Sequence, residues 1–219
     1  MNLVGLVDDF EIERQRRILG LIEPDPHALL LWARALAALP DEAERFRLED
    51  AFGFAKEIKY HHVGLKSEIY FSHPLRVSAL ATLYSGTHNA GIGVLALLHN
   101  VLEVSNVSLE NLSVSFGNCI SDQIKILTVD RDVQWDKSYK VGYYNKLMQA
   151  PHSARVVKIF DKLDNLFLLG LNPEASVREK YLAEIEEFVL PMTEASLPSL
   201  TDYMHGLVRD CRATGFIER

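Results

Sequence analysis

The chain has 219 residues, of which 48% are hydrophobic and 24% are charged, proportions typical of a globular protein that buries a continuous core. Its formal net charge of −7 argues against the coating of nucleic acid and against binding to an anionic membrane surface. A small anionic ligand stays open, because a metal ion or a local cluster of lysines can outweigh the overall sign.

The N-terminus and the cysteines indicate a reducing, intracellular location. The first ten residues, MNLVGLVDDF, have no basic n-region, and Asp8 and Asp9 interrupt their apolar run, so they do not resemble a signal peptide. No apolar run approaches the length of a transmembrane helix. Cys119 and Cys211 stand in no metal-ligand spacing. We therefore expect a cytoplasmic protein.

Residues 1–45 are expected to form a helical extension that docks on the main body. Within them, Asp25 and Pro26 provide a cap and a first-turn proline ahead of the apolar run HALLLWARALAAL. The extension is acidic and carries no residues that suggest a site. Asp41 and Glu44 then match a capping box ahead of RFRLEDAFGFAKEIKY, which leads into a main domain expected over 46–219.

The middle of the chain contains its most apolar segment. Ser72 and Pro74 open the helical pattern HPLRVSALATLY. The next segment, GIGVLALLHNVLEV, is apolar almost throughout and predicts one central buried helix. Ser108 then caps LENLSVSFG, a short helix that is expected to end at Gly117.

The C-terminal half continues the helical pattern. Its segments are CISDQIKILTV, SYKVGYYNKLMQ, ARVVKIFDKLDNLFLLGL and, after a cap at Asn172-Pro173, EASVREKYLAEIEEFVLPMTEA. A last helix is expected over roughly 198–213. The sequence shows no alternating strand pattern, no glycine-rich phosphate loop and no internal repeat. These patterns predict an all-α fold.

Three polar clusters interrupt the apolar helices. They are His61, His62 and His73 in HHVGLKSEIYFSHP, His99, Asn100 and Glu103 in LLHNVLEV, and Asp161, Asp164 and Asn165 in KIFDKLDN. Residues four apart share one face of a helix, which pairs His99 with Glu103 and Asp161 with Asn165. A carboxylate on an apolar face is costly unless it is paired or bound to a metal.

Each cluster also has a simple structural explanation. A single helical histidine is usually hydrogen-bonded within the core or at its boundary, and the paired histidines of the first cluster fit a loop surface. Asp161 can pair with Lys158 or Lys162. Taken together, however, His73, His99 and Asp161 are the nitrogen and oxygen donors that a metal site draws from separate elements.

The motifs, taken in order, resemble the HD-domain metal-dependent phosphohydrolases. The matching stretches are Glu68-Ile69-Tyr70 before Ser72-His73-Pro74, LLHN at 97–100, SLENL at 108–112 with Phe116-Gly117, Leu127-Thr128, QAPH at 149–152, VKIFDKLDNL at 157–166 and the segment 184–191. The branch that they resemble most is the (p)ppGpp hydrolase domain of RelA/SpoT proteins and the small stand-alone metazoan SpoT homologue. The resemblance covers roughly residues 50–195.

This resemblance implies an all-α HD-domain helical bundle and a reaction that removes pyrophosphate from the ribose 3′ position of a guanosine polyphosphate. It implies a divalent metal, usually manganese, that activates water. The implied metal ligands are His73, His99, Asn100 and Asp161, and the implied catalytic carboxylate is Glu103. The implied substrate-binding residues are Lys66, Ser67 and Asn165, with Lys158 and Lys162 as weaker candidates for charge compensation.

The chain departs from the family pattern at or beside the site. Asn100 stands in place of the aspartate of the His-Asp doublet, Val104 in place of an acid and Phe160 in place of an alanine, and HHVGLKS lacks an arginine. The neutral amide of Asn100 leaves the site one negative charge short, which would weaken metal binding about tenfold or more. A lost carboxylate such as that at Val104 typically costs about 10²–10⁴ in rate, and His61 or His62 would be the nearby groups able to compensate.

Three functions therefore stay open. The first is an active hydrolase of a guanosine polyphosphate, which the five retained site positions favour. The second is a catalytically impaired HD-fold module for nucleotide binding or protein interaction, which the departures favour. The third is an HD hydrolase of another nucleotide or a phosphomonoester, and the change of substrate would then show in the altered loop at 61–67. The expected partner is a small anionic nucleotide. Binding to nucleic acid or to membranes is not expected, and assembly into a homo-oligomer stays possible.

Overall fold

The computed structural model describes residues 9–22, 25–62, 64–87 and 89–218. These residues contain no β-strand, only an isolated bridge between His62 and Leu65, so the all-α prediction is confirmed. The α-helices are α1 (Phe10–Leu19), α2 (Pro26–Ala38), α3 (Glu42–Lys56), α4 (Ser67–Tyr70), α5 (Ser72–Tyr84), α6 (Ala90–Leu98), α7 (Val101–Val104), α8 (Leu109–Phe116), α9 (Asn118–Leu127), α10 (Lys137–Met148), α11 (His152–Leu166), α12 (Ala175–Glu184), α13 (Leu190–Ser196) and α14 (Thr201–Thr214). A π-helical turn, Ile185–Val189, joins α12 to α13, and 3₁₀ turns cover Leu169–Leu171 and Pro198–Leu200.

The centre of the core is formed by α5, α6 and α11, which pack against one another. All residues of α6 except Gly91 are buried, as its apolar sequence predicts. The helix α11 buries Lys158, Asp161 and Asp164 together with its apolar residues. The central helices therefore carry ionisable side chains into the core, where each needs a partner.

The predicted caps account for several helix boundaries. The Asp25 side chain accepts hydrogen bonds from two backbone N–H groups at the start of α2. The Asp41 side chain accepts the Glu44 N–H at 2.9 Å, but the Glu44 carboxylate accepts the Ala90 N–H at the start of α6, so the capping box is only half formed. Gly117 ends α8 with a φ of +82°, in the region that favours glycine.

The prediction of one continuous helix through GIGVLALLHNVLEV is wrong. The helix α6 ends at Leu98, and α7 begins only at Val101, after a turn formed by His99 and Asn100. The His99 ring nitrogen Nδ1 lies 2.7 Å from the Ala96 carbonyl oxygen, which is the acceptor that the Asn100 N–H would use in a continuing helix. The side chain therefore competes with the helical ladder at this point, and the chain turns.

The described part of the N-terminal extension packs on the main body. The helix α2 contacts α5, and Phe10 of α1 lies edge-on to Tyr203 of α14 with ring centroids 5.2 Å apart. The domain boundary between residues 45 and 46 stays a prediction. Residues 1–8, on which most of the signal-peptide interpretation rests, lie outside the described residues. Among the helices described, none is both long and apolar enough to cross a membrane.

Candidate active site

A cavity of about 810 Å³ opens beside the central helices. Its walls come from α5, from the turn between α6 and α7, from α10 and α11, and from the segment 129–136 that precedes α10. His73, His99 and Asp161 line it together. The residues that the sequence assigned to a metal site are therefore brought into one cavity.

These three residues form a compact group of potential metal ligands. His73 Nε2 lies 3.4 Å from Asp161 Oδ1, and His99 Nε2 lies 3.5 Å from the same oxygen. One ligand atom from each of the three residues lies within 4.8 Å of the others. Two imidazole nitrogens and a carboxylate oxygen at this spacing are suited to a divalent first-row transition metal.

Both imidazole rings turn Nε2 toward Asp161 and Nδ1 toward a hydrogen-bond acceptor. His73 Nδ1 lies 2.9 Å from Asp164 Oδ2, and His99 Nδ1 lies 2.7 Å from the Ala96 carbonyl oxygen. Carboxylate and carbonyl oxygens only accept hydrogen bonds, so in the neutral rings each Nδ1 carries the proton and each Nε2 keeps its lone pair. This is the tautomer that binds a metal through Nε2.

Asn100 also fits a metal site through its side-chain oxygen. Its amide nitrogen donates to the Tyr70 hydroxyl, and the residue is buried and lines the same cavity. Its Oδ1 has no hydrogen-bond partner among the described residues. A buried amide oxygen without a partner is costly, and a hard cation would satisfy it.

Asp161 is held by more than the two histidines. Its Oδ2 accepts from Lys158 Nζ at 3.0 Å, and its Oδ1 accepts from Asn165 Nδ2 at 2.8 Å. Burial would raise the pKa of Asp161, but Lys158, His73 and His99 outweigh it and hold the pKa well below its usual range. Asp161 is therefore ionised and available as an anionic ligand, and the predicted pairing with Lys158 also forms.

Glu103 lines the cavity with both carboxylate oxygens engaged. Its Oε1 accepts the Val129 N–H at 2.9 Å, and its Oε2 accepts from Arg131 Nε at 3.0 Å. The Glu103 side chain is 7% exposed, whereas that of Arg131 is 50% exposed. The carboxylate thus holds the segment before α10 against the central helices.

A second group of charges also lines the cavity. Lys140 Nζ and Lys162 Nζ lie 2.5 and 2.6 Å from the two carboxylate oxygens of Glu184, and the ammonium of Lys140 sits 4.4 Å from the centroid of the Trp135 ring. Burial would raise the pKa of Glu184, but Lys162 and Lys140 outweigh it and lower the pKa to about 2. The two lysines share one carboxylate, so this group of three residues keeps a net positive charge.

No family model matches the chain. In sequence, it is 27% identical to the guanosine-3′,5′-bis(diphosphate) 3′-pyrophosphohydrolase of Aquifex aeolicus over 161 residues, which cover 73% of this chain and 22% of that protein. It is 27% identical to the enzyme of the same name, MESH1, of Drosophila melanogaster over 103 residues, which cover 47% of this chain and 57% of that protein. It is 29% identical to the Homo sapiens MESH1 over 100 residues, which cover 44% of this chain and 54% of that protein. The matches therefore span less than two thirds of these relatives.

The fold comparison agrees with the sequence comparison. A solved structure described as a metazoan ortholog of SpoT that hydrolyzes ppGpp superposes with a TM-score of 0.61 at 20% identity, covering 75% of this chain and 94% of that one. This chain resembles the (p)ppGpp hydrolases. The resemblance drawn from the motifs is confirmed, and the all-α fold is that of the hydrolase structure.

The residues predicted from the hydrolase motifs fall into two groups in the structure. The cavity is lined by all of the predicted metal ligands, by Glu103 and by three of the predicted substrate-binding residues, Asn165, Lys158 and Lys162. Lys66 and Ser67 are not among the cavity residues. The Ser67 hydroxyl instead bonds the Ile58 carbonyl at 3.1 Å and the Tyr60 N–H at 2.9 Å, so it holds the backbone before α4.

The altered loop places its two histidines on different surfaces. His62 lines the cavity and stacks on the Tyr70 ring with centroids 4.8 Å apart. His61 lies in a separate groove, beside Phe54 and Phe116. Of the two histidines named as compensating groups, His62 is therefore the one that faces the cavity.

Several charged residues around the site were not predicted from the sequence. Arg131 and Lys140 line the cavity, and Arg76 and Arg17 both bond to Asp164 behind His73. Arg76 could have been noticed as a charged residue one turn after His73 in an apolar helix. Arg17 carried no comparable signal, because its partner lies 147 residues away.

Proposed function

We propose that this chain is a metal-dependent phosphohydrolase that removes pyrophosphate from the ribose 3′ position of a guanosine polyphosphate. The observation that carries the proposal is the convergence of His73, His99 and Asp161 on one cavity, with both Nε2 atoms turned toward the Asp161 carboxylate. The names of the relatives supply the substrate, since each is a guanosine-3′,5′-bis(diphosphate) 3′-pyrophosphohydrolase.

The proposed metal is Mn²⁺, held by His73, His99, Asp161 and the side-chain oxygen of Asn100. The two oxygen donors suit this ion, and the two imidazoles suit divalent transition metals in general. A cation at this position supplies polarisation of a phosphoryl oxygen and a lowered pKa for a water molecule. Lys158 balances part of the charge of Asp161 when the ion is absent, since its ammonium bonds Asp161 Oδ2.

The remaining cavity residues are assigned to the substrate. Arg131, Lys140 and Lys162 line the cavity with positive charge, to which phosphate groups of a guanosine polyphosphate would be attracted. Asn165 keeps its amide at Asp161 and lies at the cavity surface, where it can contact the ribose or a phosphate. Glu103 is assigned the proton transfer, because it is the carboxylate retained beside the turn that carries His99 and Asn100.

The direct test is pyrophosphate release from ppGpp by the purified chain with added Mn²⁺. Turnover that EDTA abolishes, and that Asp161→Asn and His99→Ala each lose, is the expected result. Asp122→Asn, which changes an exposed carboxylate on α9, serves as the matched control and should keep full turnover. Absence of release from a folded, Mn²⁺-loaded protein would overturn the proposed reaction.

A second candidate function is an HD-fold module that binds the nucleotide without hydrolysing it. The observation that favours it is that both oxygens of Glu103 already accept hydrogen bonds, Oε1 from Val129 and Oε2 from Arg131. The next residue, Val104, is a buried apolar side chain. Calorimetric titration with ppGpp separates the two functions. Tight binding with no pyrophosphate release supports the module, and release supports the hydrolase.

The proposed location is the cytoplasm, where the nucleotide would be available and thiols stay reduced. The two cysteines support this, since Cys119 is exposed, Cys211 is buried and neither forms a disulfide. Fractionation of cells that express the tagged chain tests the location.

A further inference from the structure

Asp164 is a fully buried carboxylate directly behind the proposed metal centre. Its exposure is 0%, and its Oδ2 lies 2.9 Å from His73 Nδ1, whose N–H donates a hydrogen bond to it. The same carboxylate accepts from Arg17 Nε at 2.8 Å and from Arg76 Nε and Nη2 at 2.9 and 3.0 Å. Two guanidinium groups therefore fix the carboxylate that orients His73.

Both arginines are tied to the N-terminal extension. Arg17 belongs to α1, where its Nη1 also bonds the Glu13 carboxylate at 2.7 Å and its guanidinium covers the Phe167 ring at 4.1 Å. Arg76 belongs to α5, but its Nη1 donates at 2.7 Å to Asp25, the residue that caps α2. The extension thus supplies one of the two groups that hold Asp164 and anchors the other.

A carboxylate behind a metal-binding histidine does two things. It fixes the tautomer and the rotation of the ring, and it increases the basicity of the nitrogen that faces the metal. It can do this only if its own position is fixed, because an unpaired carboxylate would rotate away or take up a proton in an apolar setting. Asp164 meets this condition, because Arg17 and Arg76 together bond both of its oxygens.

We propose that Arg17 is a positioning residue for the metal centre, through which the N-terminal helix α1 holds Asp164 and, through Asp164, orients His73 for metal binding. The extension, expected from sequence to carry no site residues, thereby becomes part of the site. The inference rests on the proposed function, because it takes the group of His73, His99 and Asp161 as the metal centre.

A structural role for Arg17 can be separated from a positioning role because α1 carries a matched residue. Arg14 lies on the same helix, its side chain is equally buried at 2% exposure, and it also joins α1 to the main body by ion pairing with Asp210 of α14. Its contacts do not lead to Asp164 or to His73. Loss of Arg14 therefore loosens α1 without touching the metal centre directly.

The experiment is calorimetric titration of the full chain with Mn²⁺ alone, comparing the parent with Arg17→Met, Arg17→Lys and Arg14→Met. We expect Arg17→Met to weaken Mn²⁺ binding on the order of tenfold, the usual effect of losing a group behind a metal ligand. Arg17→Lys keeps a charge for Asp164 but loses the guanidinium that also bonds Glu13 and covers Phe167, so it should recover part of the affinity. Arg14→Met should bind Mn²⁺ as the parent does, although both Met variants unfold at a lower temperature.

Equal Mn²⁺ affinity in Arg17→Met and the parent, or equal losses in Arg17→Met and Arg14→Met, would overturn the inference. If either Met variant fails to fold, the pair Arg17→Gln and Arg14→Gln makes the same comparison, because glutamine also removes the charge but keeps a hydrogen-bonding group. His73→Ala is titrated in parallel. Parent-like Mn²⁺ binding by His73→Ala would overturn the proposed metal centre itself, whereas loss of binding in His73→Ala alone would overturn only the role of Arg17.

Discussion

Arg131 approaches a single oxygen of Glu103, Oε2, with its Nε at 3.0 Å and its Nη2 at 2.9 Å. The other oxygen of Glu103 accepts the Val129 N–H, so the carboxylate is directed by the segment that precedes α10. Because the Arg131 side chain is half exposed at the cavity, an anionic phosphate can compete for it, whereas Glu103 is nearly buried. A phosphate group of the proposed substrate that binds Arg131 would therefore change the pairing of Glu103, the acid that lies near Asn100.

Replacing Glu103 with glutamine tests its assignment as the proton-transfer group. The amide keeps the shape and can still accept from Val129, but it cannot accept a proton. We expect kcat for pyrophosphate release to fall about 10²–10⁴-fold, with Mn²⁺ affinity unchanged. Glu110→Gln, at an exposed carboxylate of α8, is the control and should behave as the parent. Full turnover by Glu103→Gln would remove the assignment.

Replacing Arg131 with methionine tests its proposed contact with the substrate. We expect the KM for ppGpp to rise about tenfold, equivalent to about 1.4 kcal/mol of lost binding, with a smaller fall in kcat. Arg212→Met is the matched control, because Arg212 is also partly exposed and paired with carboxylates, Glu179 and Glu186, but lies outside the cavity. An unchanged KM in steady-state assays would show that Arg131 serves only to hold Glu103.

Replacing Asn100 with aspartate tests the charge deficit of the metal site. The carboxylate would restore a negative charge, and the Tyr70 hydroxyl that now accepts from Asn100 could donate to it instead. We expect Mn²⁺ to bind about tenfold tighter or better, since one added charge contact is worth at least about 1.4 kcal/mol. Elemental analysis and calorimetry measure this. Equal metal occupancy in Asn100→Asp and the parent would contradict the role of Asn100 as a ligand.

Local signals predicted most of the helices. The cap at Asp25, the proline at Pro26 and the glycine stop at Gly117 act within a few residues, so the sequence alone is enough to locate them. The break at His99 was missed because it depends on the imidazole bonding the Ala96 carbonyl, a rotamer choice that the apolar periodicity of the segment does not reveal.

The site was predictable to the extent that its residues stand in motifs. His73, His99 and Asp161 were named because imidazoles and a carboxylate lay on apolar helices and in a familiar order, and the structure brings them together. The supporting charges depend on tertiary contacts instead. Arg17 and Asp164 are 147 residues apart, and neither the periodicity nor the caps of α1 indicate which surface it covers.

The pairing of Glu184 with Lys140 and Lys162 predicts a pH-dependent stability. Its pKa of about 2 lies below the ordinary 4.5, so the carboxylate stabilises the fold fully above pH 4.5, and this contribution is lost as the pH falls toward 2. We expect Glu184→Gln to lower the free energy of unfolding by about 3 kcal/mol at pH 7, because it removes the carboxylate whose pKa the two lysines lower from 4.5 to about 2. The difference between parent and variant should shrink between pH 4.5 and 2 in urea unfolding curves.

The matched control for Glu184 is Glu187→Gln, at an exposed carboxylate one turn further along the same helical run. It should leave the free energy of unfolding within about 0.5 kcal/mol of the parent, as surface substitutions usually do. A constant difference between the parent and Glu184→Gln from pH 7 down to pH 2 would mean that the variant loses packing rather than charge pairing.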